Sequence, residues 1–183
     1  QAGSPSRPSC RDPSRADGPN LAPVDLSGRW RAVEADEALR RTYPDPDFDD
    51  SGWAELDVPG HWRSSPAFAT SNGPVLHRHR FEHDQPDAGT RSWLVLDGLF
   101  YQGDIWLDGT YVGDTEGYFF PHAFEVTEPL GDRREHVLAV EATCAPQDDR
   151  RAKRNITGVF QHWDCMDPDW NPGGIWRPER IEH

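Results

Sequence analysis

The chain has 183 residues, a formal charge of −13 and a pI near 4.9, with Lys153 as its only lysine. Such an excess of carboxylates repels a phosphate backbone, so nucleic acid is not an expected partner. No apolar run approaches the ~20 residues that span a bilayer, so no membrane partner is expected, and the length suits one domain with a substantial core.

Residues 1–24 are Ser, Pro, Arg, Gly and Asp with almost no large apolar side chain. Ordering them would cost backbone entropy with little buried in return, so they are expected to form a disordered leader ahead of one domain over 25–183. The start at Gln1, without a basic-then-apolar leader, points to a processed or truncated N-terminus.

From Leu26 onward short apolar segments alternate with Gly, Pro and Asp, and no 3.6-residue period is sustained, which reads as an all-β sandwich. Nine strands are predicted: Gly28 to Val33, Glu55 to Val58, Val75 to Glu82, Ser92 to Leu99, Gly103 to Leu107, Thr110 to Asp114, Ala123 to Val126, His136 to Thr143 and Ile175 to Ile181. The one helical signal covers Ala35 to Arg41. Asp108-Gly109 lies between two apolar runs and suits a two-residue type I′ hairpin turn, because both residues tolerate positive φ. Trp93-Leu94-Val95-Leu96 is apolar on both parities and is expected in a central strand with both faces covered.

Cys10, Cys144 and Cys165 lack the spacing of a zinc site and read as free thiols, with a Cys144–Cys165 pair as the alternative. Asp45, Asp47, Asp49 and Asp50 lack the glycine and terminal glutamate of a helical calcium loop and read as a solvated acidic loop. No cofactor or metal is expected. His61, His162 and Asp164 read as turn and hydrogen-bonding residues, since no second motif accompanies them.

The connection from Ala145 to Pro172 is long for a compact domain and carries Phe160, Trp163 and Trp170. Loops of this length that hold aromatics usually line something. The stretch from Asp167 to Pro178 combines carboxylates, two indoles, an arginine and Gly173-Gly174. Hydroxyl acceptors beside flat apolar faces are what sugar recognition needs, whereas a strand-initiating turn with a core tryptophan accounts for the same composition. Trp163, Trp170 and Trp176 are candidate stacking faces or core residues, and Trp170 stands out because its neighbours are polar. Arg177 is expected to pair with a carboxylate and hold the loop.

An ordered set of motifs resembles the N-terminal sugar-binding domain of family-two glycoside hydrolases, the group of β-galactosidases, β-glucuronidases and β-mannosidases. The set comprises Leu26-Ser27-Gly28-Arg29-Trp30, Val58-Pro59-Gly60-His61-Trp62, Arg78-His79-Arg80-Phe81 and Gly103-Asp104-Ile105-Trp106-Leu107-Asp108-Gly109. Phe124-Glu125-Val126-Thr127 and Gly173-Gly174-Ile175-Trp176-Arg177-Pro178 complete it. The resemblance implies a jelly-roll β-sandwich of the galactose-binding type, followed in the parent enzyme by an immunoglobulin-like domain and a (β/α)8 barrel. That barrel supplies both carboxylates of a retaining mechanism, so no residue here is assigned a catalytic role.

By the same resemblance Asp167, or Asp169 one register away, contacts substrate hydroxyls. Asn72 falls at the offset of an asparagine that approaches the sugar, although Ser71-Asn72-Gly73-Pro74 also reads as a plain turn. His77 stands where the family has tyrosine, and Glu179 where it has valine. An inward Glu179 would be costly, so that edge is expected to be exposed or closed by a following domain. The implied function is a non-catalytic sugar-binding domain of a β-glycosidase. The alternatives are a freestanding carbohydrate-binding module and a purely structural packing domain.

Overall fold

The computed structural model describes residues 21–84, 86–144 and 173–183. Twelve strands appear among them: β1 (Val24–Asp25), β2 (Gly28–Glu34), β3 (Ala54–Val58), β4 (Val75–Glu82), β5 (Trp93–Leu96), β6 (Leu99–Phe100), β7 (Gln102–Leu107), β8 (Thr110–Glu116), β9 (His122–Glu125), β10 (Glu135–Thr143), β11 (Gly174–Ile175) and β12 (Glu179–Glu182). Two one-turn helices join them, α1 (Glu37–Arg40) and α2 (Thr127–Leu130). All strand pairings are antiparallel. A six-stranded sheet runs β3-β2-β4-β10-β7-β8, a four-stranded sheet runs β1-β12-β5-β9, and β11 with β6 forms a short ribbon.

The core lies between the two larger sheets. Trp30 and Ala32 of β2, Leu138, Val140 and Ala142 of β10, and Ile105 and Leu107 of β7 meet Leu94, Leu96 and Ile181 from β5 and β12. The period-2 alternation of strands puts each of these sets on one face. The sandwich is the jelly-roll class that the sequence predicts, and Asp108 and Gly109 adopt φ of 49° and 80° at the predicted hairpin turn.

Two predicted strands are broken. The run from Ser92 to Leu99 splits at Asp97-Gly98, where Gly98 lies so close to the Trp176 indole that a Cβ would stand 2.8 Å from Nε1. The run from Ile175 to Ile181 splits at Trp176-Arg177-Pro178, because β11 pairs with β6 while β12 turns into the other sheet beside β5. β5 is central, as predicted, with Leu94, Val95 and Leu96 buried and only Trp93 exposed.

β10 is buried on both faces because the segment between β2 and β3 covers the outer side of its sheet. There Tyr43, fully buried, meets Trp106 edge-on at 5.4 Å and Trp53 at 6.5 Å. Glu141 on that face is neutralised by Arg40, whose Nη2 lies 2.6 Å from Oε1.

The acidic loop is solvated at Asp45, Asp47 and Asp49, as expected, but not at Asp50. Arg78, wholly buried, donates from Nε to Asp50 Oδ2 at 2.8 Å and from its Nη atoms to the carbonyls of Tyr43, Asp45, Pro46 and Phe48. Asp50 is therefore buried and paired, and the cation that organises the loop is a guanidinium. Asp45 and Asp49 cap local turns by accepting from the amides of Asp47 and Ser51.

Glu179 overturns a second expectation. Its strand is internal, between β1 and β5, and its side chain is fully buried on the core face with Ile181. Neither carboxylate oxygen has a hydrogen-bond partner among the described residues. Burial, reinforced by Asp97 and Asp25, pushes its pKa well above the ordinary carboxylate range and so favours the protonated form. His77 is likewise fully buried on β4, and desolvation lowers it to about 4, leaving a neutral ring at the family's tyrosine position.

Candidate functional site

The two most specific sequence motifs meet at one end of the sandwich. Val58-Pro59-Gly60-His61-Trp62 leaves β3 and docks on Gly173-Gly174-Ile175: Gly60 donates its amide to the Ile175 carbonyl at 2.7 Å, and Trp62 donates to that of Gly173 at 3.2 Å. The Trp62 indole is fully buried between two glycines. A Cβ on Gly173 would stand 2.2 Å from its ring, and one on Gly73 would stand 2.8 Å away. Since real Cβ atoms do not approach so closely, glycine at both positions is a packing requirement. Trp62 Nε1 then donates to the Ser71 carbonyl at 3.1 Å, so one side chain ties the Ser71-Asn72-Gly73-Pro74 turn to Gly173.

Asn72 sits exposed on that turn, just before β4, and its Oδ1 accepts from Arg63 Nη2 at 2.6 Å. Arg63 also donates from Nε to the Ser71 carbonyl at 2.8 Å. Ser71 is buried, and its hydroxyl accepts from the Gly73 amide at 3.1 Å. His61 caps the following 3-10 turn by accepting from the Arg63 amide at Nδ1, 2.9 Å away. Burial first and the Arg63 charge second bring its pKa down to about 4. That ring is neutral near pH 7 and has the turn role expected of it.

Asp167, Asp169 and Trp170 lie outside the described residues, as do Trp163, His162, Asp164 and the whole of 145–172. Cys144 is buried at the end of β10, while Cys10 and Cys165 also fall outside. Trp176 is half-buried: its Nε1 donates to the Tyr118 carbonyl at 3.3 Å and its ring packs 5.0 Å from that of Tyr118. Arg177 lies over the Trp176 ring at 4.4 Å, and Asp167 and Asp169 of the loop it is expected to hold lie outside the described residues.

Phe119 and Phe120, 42% and 72% exposed, form an aromatic rim that sequence reasoning missed. They follow β8, whose last residue pairs with Gln102 of β7, itself opposite Thr143 at the end of β10. The rim therefore stands at the same end as the Asn72 turn. Its signal was legible in Tyr118-Phe119-Phe120 between Gly117 and Pro121, because a turn cannot bury three consecutive aromatics.

A cleft of about 630 Å³ at the far end of β4 is lined by Asp47, Arg80, Glu82, Arg133, Glu135 and the nearly buried Phe81. It offers charge without an exposed ring face, so the Asn72 end is the better match to sugar chemistry. No group of three acidic, histidine or cysteine residues that could hold a metal ion occurs among the described residues.

A family model described as glycosyl hydrolase 2 galactose-binding domain-like matches residues 70–177, from the Asn72 turn through Arg177. The chain belongs to that family. The glycosyl hydrolase 2 domain is 28% identical over 135 residues to a β-galactosidase of Vibrio cholerae, which covers 63% of this chain and 13% of that protein. It is 25% identical over 181 residues to β-mannosidase B of Aspergillus flavus, covering 87% of this chain and 19% of that one.

Among solved structures, a calcium-binding mutant of Bacteroides uniformis β-glucuronidase 2 superposes with a TM-score of 0.65 at 22% identity, over 87% of this chain and 18% of that one. A Bifidobacterium dentium β-glucuronidase complexed with coumarin-3-O-glucuronide gives 0.63 at 20% identity, over 92% and 30% of the two chains. These structures share the fold. The domain spans less than a fifth of the length of the two sequence relatives.

Proposed function

We propose that this chain is the non-catalytic sugar-binding domain of a larger retaining β-glycosidase and supplies one wall of its substrate pocket. Its partners are a β-glycoside and the immunoglobulin-like and barrel domains of the same enzyme, with the catalytic carboxylates on the barrel. The charge of −13 opposes nucleic acid as a partner, and no described helix is long and apolar enough to cross a bilayer. The domain occupies 25–183 behind a leader at 1–24.

One observation carries this reading. Trp62 fastens the turn bearing Asn72 to Gly173, the residue at which the chain returns from the segment holding Asp167, Asp169 and Trp170. Trp170 and Asp167 precede Gly173 by three and six positions in the sequence, a short tether at ~3.5 Å per residue. Asn72, Asp167 or Asp169, and Trp170 thus belong to one sugar-facing wall of acceptors, donors and a ring face.

Calorimetry separates a half-site from a complete one. Titrated with methyl β-galactoside, β-glucuronide and β-mannoside, the isolated chain will give no measurable binding at millimolar sugar. A freestanding carbohydrate-binding module would bind one of them unaided, and that outcome would overturn the half-site reading.

A further inference from the structure

Asn72 is exposed, yet its amide has a fixed orientation. A guanidinium only donates hydrogen bonds, so the atom 2.6 Å from Arg63 Nη2 must be the amide oxygen, Oδ1. The guanidinium is itself anchored through Nε on the Ser71 carbonyl at 2.8 Å, and the Arg63 amide is held by His61 Nδ1 at 2.9 Å. The same Ser71 carbonyl receives Trp62 Nε1 at 3.1 Å, so the frame that holds Arg63 is the one that joins the turn to Gly173. Asn72 Nδ2 has no hydrogen-bond partner among the described residues.

We propose that Arg63 is a positioning residue for sugar recognition: by holding Asn72 Oδ1 it turns Nδ2 outward, so that Asn72 serves as a hydrogen-bond donor to a sugar oxygen. This rests on the reading of Asn72 as a sugar contact. The atom recognised by Nδ2 is an acceptor, a hydroxyl or ring-substituent oxygen. A freely rotating amide would present oxygen and nitrogen to the ligand about equally, and the bond from Arg63 removes that freedom. A lost hydrogen bond of this kind costs about tenfold in kcat/KM.

The test uses the full-length protein with 4-nitrophenyl β-D-galactoside, β-D-glucuronide and β-D-mannoside, each variant being measured on the glycoside that wild type hydrolyses fastest. Asn72→Ala and Asn72→Asp should each lower kcat/KM about tenfold or more. Asn72→Asp should keep or raise Tm, because aspartate pairs with Arg63 while lacking the donor. Arg63→Met should lower kcat/KM by a smaller factor, and Arg63→Met with Asn72→Ala should be no worse than Asn72→Ala alone.

Wild-type kcat/KM in Asn72→Asp would show that the oxygen is the working atom and overturn the inference. Losses that multiply in the double variant would do the same, because Arg63 would then act independently of Asn72. If Arg63→Met does not fold, Arg63→Lys replaces it, since an ammonium cannot reach both the Ser71 carbonyl and Asn72. Full activity in Asn72→Ala would instead remove Asn72 from the sugar site, a failure of the underlying reading that is distinct from a failure of the positioning role.

Discussion

Replacing Arg78 by methionine will destabilise the domain by about 3–5 kcal/mol, the usual cost of removing one member of a buried ion pair. Methionine fills much of the volume but leaves Asp50 with only the exposed Arg80, 3.8 Å away, and the Tyr43 and Asp45 carbonyls without their Arg78 donor. The loop that these groups hold also carries Tyr43 into the second apolar cluster with Leu76 and Ala139, so its release uncovers the outer face of the six-stranded sheet. For a domain of this size the loss corresponds to a Tm lower by roughly 10 °C. Urea denaturation of the domain reads it directly. Adding Asp50→Asn to Arg78→Met should recover part of the loss, because it removes the stranded charge but not the unpaired carbonyls. A change below about 1 kcal/mol would mean that the loop is held by something else.

Glu179→Gln will flatten the alkaline side of the stability profile, and Glu179→Leu will raise stability at pH 7.5 by about 1–3 kcal/mol by removing a buried polar group that has no hydrogen-bond partner among the described residues. The folded-state pKa of Glu179 is raised, so above about 4.5 the unfolded chain releases a proton that the native state keeps. Stability therefore falls as pH rises, by about 1.4 kcal/mol per unit until the folded-state pKa is reached. His77 and His61 act in the opposite sense. Both are lowered from 6.5 to about 4, so the native state binds fewer protons in that window and stability is lost as pH falls through it. The profile should peak near pH 6.5, where the histidine gain ends and the Glu179 loss continues. An unchanged slope between pH 6.5 and 8.5 in Glu179→Gln would remove Glu179 as its source.

How much of this was legible in the sequence depends on how local each determinant is. The hairpin at Asp108-Gly109 could be read because positive φ is a property of two residues, and β4 was delimited correctly from Val75 to Glu82. The breaks at Gly98 and at Trp176-Arg177-Pro178 could not, because each is set by a contact between segments about 80 residues apart. The cover that Tyr43, Trp53 and Trp106 give the outer face of β10 was not legible, because it joins segments far apart in the chain. Glu179 was judged by its charge, whereas burial inside the sandwich favours its neutral form.

At the candidate site, the motif pair around Trp62 and Gly173 was visible as two strings far apart in the chain. Their physical link, an indole that admits only glycine on either side, needed the coordinates. The same holds for Asn72: its position in a turn was readable, and the orientation imposed by Arg63 was not. Phe119 and Phe120, two phenylalanines in a Gly-to-Pro turn, offer the same kind of ring face as the tryptophans. Asp167, Asp169 and Trp170 rest on the family resemblance and on their distance along the chain from Gly173.

The claim that this domain supplies one wall of a sugar pocket completed elsewhere is tested most directly by kcat/KM for β-glycoside hydrolysis in the full-length protein carrying Asp167→Ala. The account predicts a fall of about tenfold or more, since a hydroxyl contact is lost. Wild-type kcat/KM in that variant, and equally in Asp169→Ala, would contradict it and leave the domain a packing module that touches no sugar.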